Sequence, residues 1–305
     1  MLSRAAMRLL TALPTLLVLV ALSFFLMHAA PGGPFDSERS LAPEIEARLA
    51  AHFHLDEPVW MQFGRYLGGL LHGDLGPSLQ YEGRSVASLI ADGAPVSAAV
   101  GAAALLLAMI GGVAIGAIAA MRRDGGLDRG LMLLALVGLS LPSYVVAPLL
   151  ILVFVLALDW LPAGGWDGPA SVLLPAVALA LPQMAAVARL TRGALGDVLA
   201  APWIRTARAK GLPERLIGFR HALKPALLRV VSWLGPAAAG LMTGSVVVEQ
   251  VFGIPGIGRY FVQGALNRDY TLVLGVVLFY GALVIAFNFL VDLAYGALDP
   301  RARLE

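Results

Sequence analysis

Six long runs without a charged residue dominate the pattern of apolar and polar positions along the chain. A bilayer core of about 30 Å needs roughly 20 apolar residues in helical form, and each charge-free run is close to that length. The runs are too long and too uniformly apolar for barrel strands. We therefore expect an all-α integral membrane protein of about six transmembrane helices. Their apolar cores lie near residues 9–30, 94–121, 131–158, 173–188, 230–248 and 272–291.

The first run has two interpretations. Arg4 and Arg8 precede it, as basic residues precede the apolar core of a signal peptide. Its length, the poor match to a small-residue cleavage site before Pro31 and the five later runs favour a helix that stays in the mature chain. We expect residues 1–30 to form a short cytoplasmic end and the first transmembrane helix.

The segment 31–92 is polar enough to lie outside the bilayer, and it contains two amphipathic patterns. We expect a large external loop with short helices folded on the outer surface. Two roles stay open, a cover over the helix bundle and a docking site for an external partner. The first apolar face carries Leu41, Ile45, Leu49 and Phe53, and the second carries Val59, Phe63, Leu67 and Leu70.

Small residues and prolines mark the interiors of the spans. Gly112 and Gly116 stand four residues apart, which favours close packing of two helices. The prolines can kink the helices that contain them. These prolines are Pro142, Pro148, Pro175, Pro182 and Pro236.

Composition agrees with lipid as the solvent. Apolar residues make up 59% of the chain and charged residues 14%, against about 25% in soluble domains, and the mean hydropathy is +0.80. The net charge of +2 does not suggest a nucleic-acid partner, and the absence of cysteine excludes disulfides and thiolate metal sites. The composition suggests no metal site and no cofactor bound by this chain.

The distribution of basic residues predicts the orientation. With the N-terminus inside, 16 of the 22 Lys and Arg residues fall in inner segments and 6 in outer segments. Because basic residues concentrate on the cytoplasmic side, both termini should face the cytoplasm. The inner segment 189–229 carries nine of these basic residues.

This inner segment is predicted to hold two short helices. Pro202 and Pro213 are each suited to a first helical turn, and Gly211 is suited to the left-handed position that ends the first helix. Trp203, Ala207 and Gly211 follow one another at intervals of four residues, so they share one line along the helix. Such a line could contact another protein, and the basic residues around it could instead bind anionic lipid.

Residues 203–231 resemble the cytoplasmic loop of membrane subunits of binding-protein-dependent ABC importers. In that family this loop forms a coupling helix that sits in a cleft of the ATPase subunit. The general pattern is Glu-Ala-Ala, three residues, Gly, and later Ile-x-Leu-Pro; this chain has Arg-Thr-Ala, Gly and His-x-Leu-Lys, as in the peptide and nickel branch. The resemblance assigns ATPase coupling to Trp203, Arg205, Thr206, Ala207, Arg208, Lys210, Gly211 and His221.

Further stretches resemble the same branch, closest to its oligopeptide permeases, over nearly the whole chain. Gly33 departs from the Asp that many relatives carry, which puts a polar contact there in doubt. The matching stretches are Pro-Gly-Gly-Pro from 31, His-Gly-Asp-Leu-Gly from 72 with Ser78, Trp-Leu-Pro from 160 with Gly164–Trp166, 244–249, 252–258, 267–270, Asp292 and 299–301.

The resemblance implies a type I ABC importer permease fold, with a permease core over 93–305. It implies half of a translocation pathway for oligopeptides, in the inner membrane of a bacterium. The implied partners are a homologous second permease subunit, two ATP-binding subunits that hold ATP and Mg, and an external peptide-binding protein. A dipeptide, nickel or glutathione permease of the same family is the alternative, because substrate choice in this family resides mainly in the binding protein.

The chain's own chemistry is compatible with a transport subunit that is not an enzyme. No Gly-x-x-x-x-Gly-Lys-Ser/Thr phosphate-binding loop occurs, so ATP hydrolysis would need another subunit. Few ionisable residues lie deep in the spans, which argues against an ion-driven carrier. An intramembrane hydrolase using Ser245 with His221 is a poor alternative, since the predicted topology places these residues near opposite membrane faces.

The outer end of the fifth span carries a second candidate site. Residues 253–258 follow the pattern Gly-x-x-Gly-x-Gly, which is not the Gly-x-Gly-x-x-Gly order of a dinucleotide-binding fingerprint, and no strand precedes them. We therefore expect a tight outer turn. This turn is either a rigid connection, or a gate or binding-protein contact. Glu249 could attract a peptide N-terminus or simply reach water. The candidate residues are Glu249, Gly253, Pro255, Gly256, Gly258 and Asp269.

Overall fold

The computed structural model describes residues 2–35 and 42–298, which form helices and turns without a β-strand. Leu41 and the 299–301 stretch lie outside the described residues. Two π-helical segments, Ile151–Ala157 and Ile217–Ala222, interrupt the α-helical pattern. The described residues form α1 (Leu2–Ala29), α2 (Pro43–His52), α3 (Val59–Leu71), α4 (Val86–Met121), α5 (Gly126–Ser140), α6 (Ser143–Leu150), α7 (Ala170–Leu199), α8 (Pro202–Ala209), α9 (Glu214–Leu216), α10 (Leu223–Val251), α11 (Ile257–Leu266) and α12 (Tyr270–Leu298).

The predicted membrane spans are present as four single helices and two bent pairs. If each pair is one span, the described residues provide six, in agreement with the six apolar runs. The single spans are Leu10–Ala29, Val86–Met121, Ala170–Leu199 and Tyr270–Val291, and the pairs are Gly126–Ser140 with Ser143–Ala157 and Glu214–Gly235 with Ala237–Val251.

The third span is broken, where one continuous helix was expected. Its two parts meet at 102°, because Leu141 is extended (φ −86°, ψ 117°) and Pro142 follows it. A residue before proline avoids the α conformation, and proline has no N–H for the helix ladder. The kink expected at this proline is therefore a complete helix break.

Two spans extend beyond their apolar cores. The fourth continues through Arg189 and Arg192 to Leu199, where the sequence alone suggested a loop from residue 189. The second begins at Val86, eight residues before the expected core. The glycines of α4 confirm the predicted close packing, since a Cβ on Gly112 would lie 2.7 Å from the Met184 carbonyl oxygen of α7.

The external segment contains the two predicted helices, α2 and α3. In α3, Phe63 packs on Phe24 of α1, with the ring centroids 5.1 Å apart. The apolar face of α3 thus covers the C-terminal part of the first span.

The chain divides into two compact units, each with its own buried cluster. One comprises residues 98–254 and 284–298 of the described chain, and the other Ser3–Ser97 and Pro255–Leu283. The cluster of the first unit contains Ala117, Ala120, Ala194, Leu195, Ile204, Ile217, Ala222 and Ala226. The cluster of the second contains Val86, Leu89, Ile90, Ile257, Tyr260, Leu272 and Val276.

Candidate functional site

The predicted coupling helix is α8, and it is fixed to the protein's own core by one side chain. Pro202 occupies the first turn, as expected, and Ile204 is fully buried against the cluster that includes Leu195 and Ile217. Fully burying an isoleucine contributes about 1.5 to 3 kcal/mol, which helps to hold this short helix against the bundle. Sequence analysis missed this residue, because Trp203 and Ile204 are both large and apolar and the surrounding cluster decides which of them is buried.

The exposed face of α8 differs from the predicted contact line. Ala207 is half-buried and packs with Ile204 on the inner cluster, because residues three apart share a helix face. Trp203 is 58% exposed, and the polar side chains of the helix are exposed with it. The two ends of the predicted line, Trp203 and Gly211, are exposed, while Ala207 between them is half-buried. The contact line stays a prediction. The exposed face carries Trp203, Arg205, Thr206, Arg208, Ala209 and Lys210.

Gly211 adopts the left-handed conformation that the sequence predicted, with φ +75°. Its N–H donates to the Arg208 carbonyl at 2.9 Å and thereby ends α8. A Cβ at this position would meet no atom within 4 Å. Glycine is required here by the backbone conformation and not by lack of space.

Arg208 and Glu214 join α8 to α9 across the glycine turn. The guanidinium donates to both carboxylate oxygens, with Nε to Oε1 at 2.7 Å and Nη2 to Oε2 at 3.2 Å. Both side chains are largely exposed. Solvent screening limits this pair to about 0 to 1 kcal/mol, so it orders the turn more than it stabilises the protein.

After α8, the inner segment continues as a short α-helix followed by a π-helical segment. Pro213 precedes α9 as its N-cap instead of entering the first turn. The π-helical segment Ile217–Ala222 follows, and it exposes His221 while burying Ile217. π-Helical turns occur frequently at functional sites. Each of the residues assigned to coupling except Ala207 thus lies on the surface.

An ion pair between a half-buried arginine and a buried carboxylate joins α5 to the helix that leads into α8. The Arg192 guanidinium of α7 donates from Nε and Nη2 to the two carboxylate oxygens of Asp128, each at 2.7 Å, and Asp128 is 1% exposed. The backbone N–H of Asp124 also donates to this carboxylate, at 2.9 Å. No sequence pattern indicates the pair, because its members are 64 positions apart.

At the end of α10, Glu249 is fully buried rather than directed to water. The Ser245 hydroxyl, one turn earlier, donates to Glu249 Oε1 at 2.7 Å. The backbone carbonyl of Glu249 accepts from the Ile254 N–H at 2.9 Å, which closes the turn that contains Gly253 at φ +60°. Gly253 itself is exposed.

Two of the stretches quoted for the family resemblance meet at this turn. The Gly165 N–H donates to the Phe252 carbonyl at 2.9 Å, and a Cβ on Gly164 would overlap that same oxygen. Close backbone approach therefore explains this glycine pair without a ligand.

The residues that follow belong to the other compact unit and are mostly buried. Gly256 precedes α11, and the Ile257 N–H donates to the Ser97 hydroxyl of α4 at 2.9 Å. A Cβ on Gly93 would lie 2.9 Å from the same backbone nitrogen. Gly256 and Gly258 are buried and Pro255 is half-buried, which agrees with a rigid connection.

Asp269 is buried and bound by the chain's own donors. Its Oδ2 accepts from the Ser78 hydroxyl and from the Leu79 N–H at 3.0 Å, while Oδ1 accepts from the Thr271 hydroxyl and the Leu272 N–H, each at 3.1 Å. The carboxylate therefore caps α12 and holds the 78–80 turn. It joins two stretches of the resemblance, around 72–78 and 267–270.

The hydrolase alternative has no geometric support. Ser245 lies in α10 and His221 in the π-helical segment before that helix, so roughly 35 Å of helix separates them at 1.5 Å per residue. The Ser245 hydroxyl donates to Glu249 instead. A nucleophile and its base must lie within hydrogen-bond reach.

Comparison with known proteins gives consistent matches. The family model described as "Binding-protein-dependent transport system inner membrane component" matches residues 112–304. The chain is 52% identical to the oligopeptide transport system permease protein OppB of Salmonella typhimurium over 97% of both chains. It is 44% identical to the dipeptide transport system permease protein DppB of Bacillus subtilis, over 95% of this chain and 94% of that one.

Solved structures support the fold. A chain of the MetNI methionine ABC transporter, in an inward-facing conformation, superposes with a TM-score of 0.57 at 20% identity, covering 69% of this chain and 96% of its own. A chain of an amino acid ABC transporter superposes with a TM-score of 0.52 at 18% identity. The expected ABC importer permease fold is therefore present. The chain belongs to the family of inner-membrane components of binding-protein-dependent ABC transport systems, as a permease subunit that works with ATPase and substrate-binding components.

Proposed function

We propose that this chain is one of two permease subunits of an ATP-driven oligopeptide importer, and that it forms half of the translocation pathway. The observation that carries the substrate class is the 52% identity to an oligopeptide permease over 97% of both chains. The aligned region extends beyond the family-model match at 112–304 to 97% of both chains, which supports a shared task as well as a shared fold.

Helix α8 is the proposed coupling helix. Its buried Ile204 ties it to the bundle, while Trp203 and the polar side chains beside it stay exposed. Exposed tryptophans are favoured anchors of protein interfaces. Force applied to α8 by an ATPase subunit would pass directly to the cluster that contains Leu195 of α7.

The proposed partners are a homologous second permease subunit, two ATP-binding subunits and an external peptide-binding protein. The chain binds no cofactor itself, and ATP and Mg belong to the ATP-binding subunits. Both termini and α8 face the cytoplasm of a bacterium, a proposal supported by the excess of basic residues in the inner segments.

The outer residues have different proposed roles. Gly253 is exposed and Pro255 half-buried, so this part of the turn is available to a gate or to the binding protein. Glu249, Gly256, Gly258 and Asp269 are buried, and they fix the elements on either side.

Transport of dipeptides is the second candidate, favoured by the 44% identity to a dipeptide permease. The test is ATP-driven uptake in proteoliposomes that contain the whole transporter and its own binding protein. We expect uptake of a labelled pentapeptide, with weaker uptake of a dipeptide and none of nickel or glutathione. Preferential uptake of the dipeptide would establish the second candidate, and uptake of nickel or glutathione alone would refute both.

A further inference from the structure

A groove with three arginines lies between α5 and α7. Its volume is about 670 Å³, and three of its six lining residues are apolar. The two helices pack against each other along this side of the first compact unit. The lining residues are Arg129, Met132, Leu133, Leu136, Arg189 and Arg192.

The groove carries an excess of positive charge. Asp128 neutralises Arg192 through the two hydrogen bonds of 2.7 Å. Arg129 and Arg189 are exposed, and within residues 2–35 and 42–298 their side chains form neither a hydrogen bond nor an ion pair. Two guanidinium groups are therefore available to an anion, and guanidinium binds phosphate oxygens in bidentate fashion.

The polar and apolar parts of the groove are arranged along one direction. On α5, Leu133 and Leu136 follow Arg129 at four and seven residues, so all three share a face. Both leucines are more than half exposed. At 1.5 Å per residue, Leu136 lies about 10 Å further along the span than Arg129. The groove thus offers a cationic end followed by an apolar strip.

We propose that this groove binds an anionic phospholipid of the cytoplasmic leaflet, with its phosphate at Arg129 and Arg189 and an acyl chain along Leu133 and Leu136. The leaflet assignment rests on the orientation given under the proposed function. Basic grooves between transmembrane helices on this side are suited to lipid phosphates. An acidic side chain of a protein partner fits less well, because the apolar strip continues into a depth where an unpaired carboxylate is costly.

Native mass spectrometry of the purified transporter, exposed to cardiolipin and phosphatidylcholine, measures the binding directly. We expect the wild type to retain cardiolipin, and Arg129→Gln with Arg189→Gln to reduce the retained fraction at least tenfold. The matched control, Arg122→Gln with Arg220→Gln, removes the same charge from exposed arginines outside the groove and should retain the lipid. The pair Arg129→Lys with Arg189→Lys keeps the charge without the bidentate geometry and should retain an intermediate fraction.

Several outcomes would overturn the proposal. One is equal lipid loss in the groove variant and the control; another is unchanged retention in the groove variant. If the groove variant loses the second permease subunit while its lipid retention is unchanged, the groove is a subunit interface. Displacement of the lipid by inorganic phosphate at millimolar concentration would assign the site to a free anion. Because retention is measured without transport, a failure of peptide uptake leaves this result independent of the proposed function.

Discussion

At the scale of single residues, buried carboxylates accept hydrogen bonds from backbone N–H groups in turns and at helix ends. Asp269 accepts hydrogen bonds from two stretches of chain about 190 residues apart. Asp128 does the same for the α4–α5 turn and for Arg192. Buried acidic residues in a transport protein suggest a substrate-binding role, yet the donors around these two are supplied by the chain itself.

The substitution Asp269→Asn tests this structural role. The carboxylate accepts hydrogen bonds at both oxygens, whereas the amide of asparagine replaces one oxygen with an NH₂ group. That NH₂ group would face hydrogen-bond donors, and each buried polar group left unpaired costs about 1 to 3 kcal/mol. We expect a lower thermal unfolding midpoint for the purified protein and faster proteolysis of the 78–80 turn. Asp92→Asn is the control, because that carboxylate is exposed and pairs with Arg84 at the surface. A normal midpoint with selective loss of binding-protein association would instead assign Asp269 to an interface.

At the scale of elements, the sequence predicted those helices whose apolar periodicity or terminal residues are visible within the helix itself. The amphipathic pattern predicted α2 and α3, and Gly211 was correctly predicted to be left-handed because only glycine adopts that conformation without strain. The sequence did not predict which side of α8 faces the core, because the burial of Ile204 depends on residues of α7 and α10 that are distant in sequence. Nor could the sequence distinguish a kink at Pro142 from the 102° break that the structure contains.

Substitution of Gly211 tests the turn after α8. Gly211→Val forces a β-branched residue into φ +75°, at a cost of about 1 to 3 kcal/mol, whereas Gly211→Asn tolerates that conformation. Because no atom of this chain lies within 4 Å of a Cβ here, a clash inside the chain cannot cause the loss. We expect peptide uptake and co-purification of the ATPase subunits to fall in the Val variant and to recover in the Asn variant.

Gly193→Val is the matched control for this test. A Cβ on Gly193 also meets no atom within 4 Å, but this glycine lies inside α7 with ordinary helical geometry. Peptide uptake by the Gly193→Val transporter should stay close to that of the wild type when equal amounts of the two proteins are present in the membrane. Equal losses for the two valine variants would refute the requirement for the left-handed turn.

At the scale of the whole molecule, the proposed orientation rests on the distribution of basic residues, and labelling of single cysteines tests it. The chain has no cysteine, so single cysteines can be introduced without background. Glu82→Cys and Arg215→Cys both alter exposed positions. In intact cells with a permeabilised outer envelope, an impermeant thiol reagent should label position 82 alone.

Permeabilisation of the inner membrane provides the internal control. Position 215 should then become labelled to the same extent as position 82, which demonstrates that the thiol itself is reactive. Labelling of position 215 in intact cells, with position 82 protected, would reverse the orientation and place α8 outside. The unequal distribution of Lys and Arg residues would then not report which side of the membrane each segment faces.

The coupling role of α8 is tested most directly by replacing its one exposed aromatic side chain. Trp203→Ala removes a side chain that is 58% exposed, while Trp60→Ala removes one that is 73% exposed on α3 of the external segment. Association of each purified permease pair with the ATPase subunits is measured by titration, together with ATP-driven peptide uptake. We expect Trp203→Ala to weaken ATPase association at least tenfold, about 1.4 kcal/mol, with a parallel loss of uptake, and Trp60→Ala to leave ATPase association unchanged. Wild-type association and uptake in Trp203→Ala would contradict the assignment of α8 as the coupling helix.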